Sequence, residues 1–231
     1  RQFMREPQEV KLLEKHEESK IRQRFYQVED GQRLQAVAAL LLHYRPVSTL
    51  AFCNTKQQCR SLLEALHAHG IKALTLNGDM EQRERDQVLI QFANRSCSVL
   101  VATDVAARGL DIDKLEMVIN VDVTPDPEIH VHRIGRTGRA DQNGWALSLC
   151  GPSDRHRIVT IAQTMGIEPE WHALDELPDE DQAPLLPPMV TLQILGGRKE
   201  KIRPGDVLGA LTGEAGFTRE QVGKISVTDF N

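Results

Sequence analysis

Between His132 and Arg139 the sequence reads His-Arg-Ile-Gly-Arg-Thr-Gly-Arg, which spaces Arg133, Arg136 and Arg139 three residues apart. Arginine keeps its charge at any physiological pH, and its planar fork matches two phosphate oxygens at once. Gly135 and Gly138, set between the arginines, carry no side chain that would hold a backbone or a phosphate away. The block is therefore a candidate anion clamp or a set of arginine fingers, which neutralise charge developing on a transferring phosphoryl group. The plainer alternative is a basic helix end whose arginines face water or pair with Asp and Glu.

Three other stretches bear on the choice: Thr49–Thr55 (Thr-Leu-Ala-Phe-Cys-Asn-Thr), Gln82–Arg85 (Gln-Arg-Glu-Arg) and Val99–Asp111 (Val-Leu-Val-Ala-Thr-Asp-Val-Ala-Ala-Arg-Gly-Leu-Asp). In this order and spacing, followed by His132–Arg139, they resemble motifs IV, IVa, V and VI of the second RecA-like domain of a DEAD-box RNA helicase. Ordered blocks over about ninety residues are far more specific than any one short motif. The resemblance covers roughly Ile21 to Met165, and a motif VI that begins with His places the chain nearer the DEAD-box branch than its DEAH relatives.

The resemblance implies roles. Arg136 and Arg139 would reach the γ-phosphate of ATP, Asp111 would accept hydrogen bonds from the ATP ribose, and His132 would couple motif VI to the acidic motif of a partner domain. Thr55, Gln82, Arg85, Thr103, Arg108 and Gly109 match the family's contacts to the RNA sugar-phosphate backbone, where hydroxyl, amide and guanidinium donors suit reading without base preference. Arg133 is expected to be structural, paired with Asp104. Two alternatives stay open: Asp111 as a turn or capping aspartate, and Gln82 and Arg85 as an exposed helix face, since Arg83 and Glu84 make that stretch charged anyway. The sequence contains no GxxxxGK[ST] and no Asp-Glu-Ala-Asp, so it carries no phosphate cradle or magnesium site of its own. The family places those parts in a first RecA-like domain, expected upstream of Arg1, and ATP with its magnesium would sit between the two domains. The chain alone is expected to be inactive as an ATPase.

These groups need a scaffold, and the hydropathy pattern supplies one. Strand-like runs are read at Val47–Phe52, Ala73–Leu76, Val99–Ala102, Met117–Val121 and Trp145–Leu149, with Ile21–Val28 as an extended lead-in. Helices are read at Leu34–Leu42, Lys56–His69, Glu81–Ala93, after Pro125 and Pro127 through Gly135, and at Arg157–Met165. Strand and helix in alternation demand parallel pairing with right-handed crossovers, a three-layer α/β domain over residues 21–176. Asn54, Thr55, Thr103 and Asp104 then fall at the carboxyl ends of strands, the edge where open parallel sheets hold ligands.

Composition excludes several classes. At 40% hydrophobic over 231 residues the chain can bury a core, and its longest apolar run, Ala36–Leu42, is far short of the roughly 18 residues of a membrane span. No membrane partner is expected, and the protein reads as cytoplasmic and monomeric. Cys53, Cys59, Cys97 and Cys150 show no CxxC spacing and read as reduced, buried thiols; His130 and His132 lack a third ligand, so no metal site is expected. The net charge of −5 is uneven. Seven acids and no Lys or Arg lie between Glu168 and Asp181, and without them 28 basic residues face 26 acids, a balance of +2. Any RNA site must be a local patch.

Residues 1–20, rich in Lys and Glu, read as an interdomain connector, and residues 177–188, acidic with Pro178, Pro184, Pro187 and Pro188, as a semi-rigid linker. Residues 189–231 read as an incomplete α+β, RRM-like domain with strands at Val190–Leu195 and Gly223–Val227 and a helix at Gly205–Leu211. Gly196–Gly213 resembles the C-terminal RNA-binding domain of DbpA-type DEAD-box proteins, which implies a large-subunit ribosomal RNA hairpin as partner. Arg198, Lys199, Lys201 and Arg203 form a basic loop broken only by Glu200, an RNA-binding candidate against the alternative of a solvated hairpin tip. Phe217 and Phe230 are the only aromatics there, too few for the stacking face of an ordinary RRM.

Overall fold

The computed structural model describes residues 21–29, 31–110, 112, 114–138, 143–177 and 183–227. The expected connector over residues 1–20 lies outside them, as do Asp111 and Arg139.

A parallel sheet forms the centre. Its strands are β1 (Ile21–Gln27), β2 (Thr49–Phe52), β3 (Ala73–Leu76), β4 (Val99–Ala102), β5 (Met117–Asn120), β6 (Gly144–Cys150) and β7 (Trp171–Ala173), in the order β3-β4-β2-β5-β6-β1-β7. The register aligns Thr49 with Val99 on one side and with Met117 on the other, so the carboxyl ends of β2, β4 and β5 lie level. Between the strands run α1 (Arg33–Tyr44), α2 (Lys56–Ala68), α3 (Gln82–Ala93), the four-residue α4 (Asp104–Ala107), α5 (Pro127–Ile134) and α6 (Arg155–Met165). The lead-in at Ile21–Val28 is thus a full strand, between β6 and β7.

Period two along the strands divides the core. Ala51, Met117, Ile119 and Leu147 face α1 and α2, where Leu40, Leu41, Leu62 and Leu66 are completely buried. Leu50, Phe52, Leu100 and Val118 face the other way, onto Val88 and Phe92 of α3 and Ala106 and Ala107 of α4. Phe25 and Cys150 extend that second layer onto Ile158 and Ile161 of α6. Each such aliphatic side chain contributes about 1.5 to 3 kcal/mol by leaving water, which is why the central strands read as unbroken apolar runs. Local chemistry ends the helices: Pro127 opens α5 behind the N-cap Asp126, and Gly166 closes α6 in the left-handed conformation.

Two expected strands are absent. Val190–Leu195 and Gly223–Val227 belong to no ladder among the described residues, and only the helix between them forms, as α7 (Pro204–Thr212). A strand is completed by a neighbour's backbone, and without one the alternation leaves Val190, Leu192 and Leu195 mostly exposed. Conversely, β7 was hidden in the acidic stretch, and α4 is a single turn too short to show a period.

Candidate functional site along the carboxyl edge

Arg133 sits at the centre of the site and is 2% exposed. Its Nε and Nη2 donate to the two carboxylate oxygens of Asp104 at 2.7 Å each, Nη1 to the Asp122 carbonyl at 2.7 Å and Asn120 Oδ1 at 3.3 Å, and Nη2 to Asn54 Oδ1 at 3.2 Å. That accounts for all five N–H donors of a guanidinium. The group also lies 5.0 Å above the Phe52 ring. The pairing with Asp104 expected from the sequence is present, and it ties α5 to the ends of β2, β4 and β5 at once.

Around this anchor the carboxyl edge carries its exposed groups. Thr55 caps α2 by accepting from the Gln58 N–H at 3.1 Å, and Thr103 caps α4 by accepting from the Ala106 N–H. Each hydroxyl keeps its own proton available for an acceptor outside. Asp122 receives the Asn54 N–H and the Gln58 side-chain amide, both at 2.8 Å, and so seats the start of α2. Arg85 reaches from α3 to the Ala106 carbonyl at 2.6 Å, locking α3 to α4, whereas Gln82 is exposed and donates to Asp86 on its own helix. Gly109 is exposed with φ +73° and open space where a Cβ would stand, so backbone conformation, not crowding, selects glycine there.

His132, Arg136 and Arg108 converge with Asp104 and Ile129 on one shallow pocket of about 110 Å³. Arg136 Nη1 donates to the Leu110 carbonyl at 2.9 Å, one residue before Asp111. The chain after Arg136 is stitched down by Leu115 N–H to the Arg136 carbonyl at 3.1 Å and by the Thr137 hydroxyl to the Leu115 carbonyl. Asp111 and Arg139 themselves lie outside the described residues.

His130, two residues before His132, points the other way. It is buried against Phe25, its ring pKa pushed down to about 4 by burial and secondarily by Arg133. Among the described residues no cluster of three His, Cys, Asp or Glu could hold a metal ion, and all four cysteines are free and buried. No helix of the described residues is long and apolar enough to cross a membrane.

The four C-terminal cations are not part of this edge. Arg198–Glu200 forms a 3₁₀ turn in which the Gly197 carbonyl accepts from Glu200 and Ile202, the Gly197 N–H donates to Glu200 at 2.6 Å, and Asp206 caps α7 through the Arg203 N–H. Arg198, Lys199, Lys201 and Arg203 are all exposed. The chain leading to them runs along the amino-terminal edge of the sheet, where Met189 N–H meets the Arg95 carbonyl at 3.3 Å.

Sequence reasoning missed Asp122, Asn120 and Arg33. Arg33 donates to the Val121 and Leu149 carbonyls and to Asp154, joining the ends of β5 and β6. Only the position of Asp122 just past a strand end could have flagged it.

Residues 32–141 match the helicase conserved C-terminal domain family and residues 191–231 the DbpA RNA binding domain family. The ATP-dependent RNA helicase DbpA of Escherichia coli (strain K12) is 48% identical over 207 residues, 90% of this chain and 45% of that protein. The DEAD-box ATP-dependent RNA helicase CshA of Bacillus subtilis (strain 168) is 40% identical over 163 residues, 70% of this chain and 33% of that protein. The chain thus spans less than half the length of either. In a crystal structure of the Escherichia coli DEAD-box protein SrmB, bound there to regulator of ribonuclease activity A, the matched chain is 32% identical with a TM-score of 0.62; the match covers 71% of this chain and 97% of that one. On its RecA-like parallel sheet, its site geometry and these matches, the chain belongs to the DEAD-box RNA helicases, as a helicase C-terminal domain followed by a DbpA-type RNA-binding segment.

Proposed function

We propose that this chain is the second half of an ATP-dependent RNA helicase that locally unwinds ribosomal RNA during large-subunit assembly. The supporting observation is the buried Arg133, around which one edge carries two sets of groups: Thr55, Thr103, Arg108 and Gly109, and, sharing a pocket with Arg108, His132 and Arg136. The first set offers donors and a bare backbone to phosphates and sugars. The second would offer Arg136 to the γ-phosphate, and the family resemblance adds Arg139 in the same role and Asp111 as the ribose ligand. Magnesium would be carried with ATP by residues of a first RecA-like domain, as this sequence has no phosphate loop. The basic loop Arg198–Arg203 would address a hairpin of large-subunit ribosomal RNA, in the cytoplasm and as a monomer.

Arg136→Ala and Arg139→Ala, each in a protein containing both RecA-like domains, test the reading. RNA-stimulated ATP hydrolysis should fall by on the order of 10³ or more, as loss of an arginine finger does, while RNA binding stays within a few fold. The unchanged 231-residue chain alone should not hydrolyse ATP. Turnover near that of the unchanged two-domain protein would favour the rival reading, an RNA-binding or chaperone module that kept the helicase fold.

A further inference from the structure

The acidic, proline-rich stretch after the sheet reads in sequence as a linker, yet its described part is built into the domain. Arg45, just past α1, donates to the Ala183 carbonyl at 2.8 Å and the Pro184 carbonyl at 3.1 Å. Leu185 follows, 4% exposed, and joins the cluster formed by α1, α2 and their face of the sheet. The next residue, Leu186, is 66% exposed. Farther on, Met189 N–H bonds the Arg95 carbonyl at 3.3 Å and the Thr191 hydroxyl meets that of Ser96 at 2.6 Å. Arg45 and Arg95 both follow helix ends and precede strands, so the segment crosses the amino-terminal edge of the sheet, opposite the site.

We propose that Arg45 and Leu185 form a clasp that makes residues 183–191 a fixed arm instead of a free tether. The arm sets where the basic loop stands. From Thr191, held on Ser96, only seven residues lead to Arg198, which at full extension is at most about 25 Å. On the RNA reading proposed above, an RNA held by Arg198–Arg203 is presented to the backbone-reading edge at a separation chosen by the protein. A free tether of the same length would dilute that second contact over all its conformations. Five attachments in nine residues, one an apolar side chain buried in the core, are more than a passing surface contact needs. Arg45 is also the left-handed C-cap of α1, φ 49°, its N–H held by the Leu41 carbonyl, so the clasp starts from a fixed helix end.

The clasp can be measured without RNA. Glu64 on α2 and Glu214 beyond α7 are exposed, and the native cysteines are all buried, so Glu64→Cys and Glu214→Cys accept a pair of spin labels in the 231-residue chain. The clasp predicts one narrow dipolar distance distribution, broadened at least twofold by Arg45→Ala with Leu185→Ser and unchanged by the neighbouring Leu186→Ser. Arg45→Ala alone leaves the core untouched and should broaden it partially, which separates the clasp from loss of folding. A broad distribution in the unchanged chain, or a narrow one that survives the double change, overturns the proposal.

A second arm of the experiment addresses positioning. A stem-loop RNA with a single-stranded tail should bind more tightly than the same stem-loop without it, and the double change should cut that tail-dependent gain about tenfold. An unchanged gain overturns the positioning role. If neither RNA binds, the RNA reading of the loop fails, and the distances still judge the clasp.

Discussion

Arg133 carries more of the site than the arginines that would touch phosphate, because burial leaves it no solvent to fall back on. A guanidinium that is 2% exposed has almost no water to bond to, so its five N–H donors depend on acceptors held in place, and here five acceptors from four residues supply them. Removing it strands Asp104 without its counter-charge and leaves Asn120 and Asn54 with open acceptors. Arg133→Ala should therefore cost about 3 to 5 kcal/mol of folding stability, the range for breaking a buried pair by deleting one partner. Arg133→Lys keeps the charge but offers three donors on a flexible stem, so it should recover only part of that loss. Urea midpoints of the two variants give the comparison, and a cost under about 1 kcal/mol for the alanine would mean the anchor is not holding the edge. Arg136 differs because it is only partly buried, and its fork can turn from the Leu110 carbonyl to a ligand's oxygen.

Most elements were legible because parallel strands between helices are short apolar runs set off by amphipathic ones, and the motif residues fell at strand ends that the pattern already located. What stayed hidden depended on distance along the chain. Asp122 seats Asn54 from 68 residues away, and no local spacing announces that bond. The alternation at Val190–Leu195 was read correctly as a pattern, but a ladder also needs a neighbour that local sequence does not report. Gly144, the first residue of β6, is a similar case: a Cβ there would fall on the Thr137 hydroxyl and come within 2.5 Å of the Gly138 nitrogen. Gly144→Ala should push the Thr137–Gly138 turn off Leu115 and carry Arg136 with it. The expected result is severalfold or greater loss of RNA-stimulated ATPase with RNA affinity retained, and unchanged turnover would show that the turn relaxes freely. Helix α5 also carries a proton-linked weakness at His130, whose imidazole is held to about 4 against 6.5 when unfolded. Between those values the unfolded chain binds the extra proton, so this group favours unfolding as pH falls from 6.5 toward 4 and contributes its full stability above 6.5. The effect is up to about 3 kcal/mol, and His130→Leu should flatten the pH dependence of the urea midpoint within that window.

At the scale of the whole molecule the question is which part selects the RNA. The carboxyl edge presents two capping threonines, a glycine backbone and Arg108, and on the function proposed above these groups would bond sugar and phosphate and bind every sequence alike. Net charge does not discriminate either, since the acidic excess comes from the seven acids between Glu168 and Asp181 and the remainder is nearly balanced. The same proposal assigns selection to the turn at Arg198–Arg203, which differs from the edge in kind: four exposed cations on a backbone closed by Gly197 and capped into α7. A closed turn presents its charges in one arrangement, and a folded RNA stem and loop presents phosphates in one arrangement too, whereas an extended strand adapts to any. Replacing Lys199, Lys201 and Arg203 together by Ala, in a protein with both RecA-like domains and a complete C-terminal RNA-binding domain, separates the two contributions. The ratio of affinities for a ribosomal RNA hairpin and a scrambled RNA of equal length should collapse toward one. Binding through the edge should persist, weak and strongly dependent on salt, because each remaining phosphate contact still releases a counterion. The slope of log affinity against log salt should shrink for the hairpin by up to about three, the charges removed, and stay nearly constant for the scrambled RNA. A preference ratio that survives the triple change would place the selecting residues outside this turn.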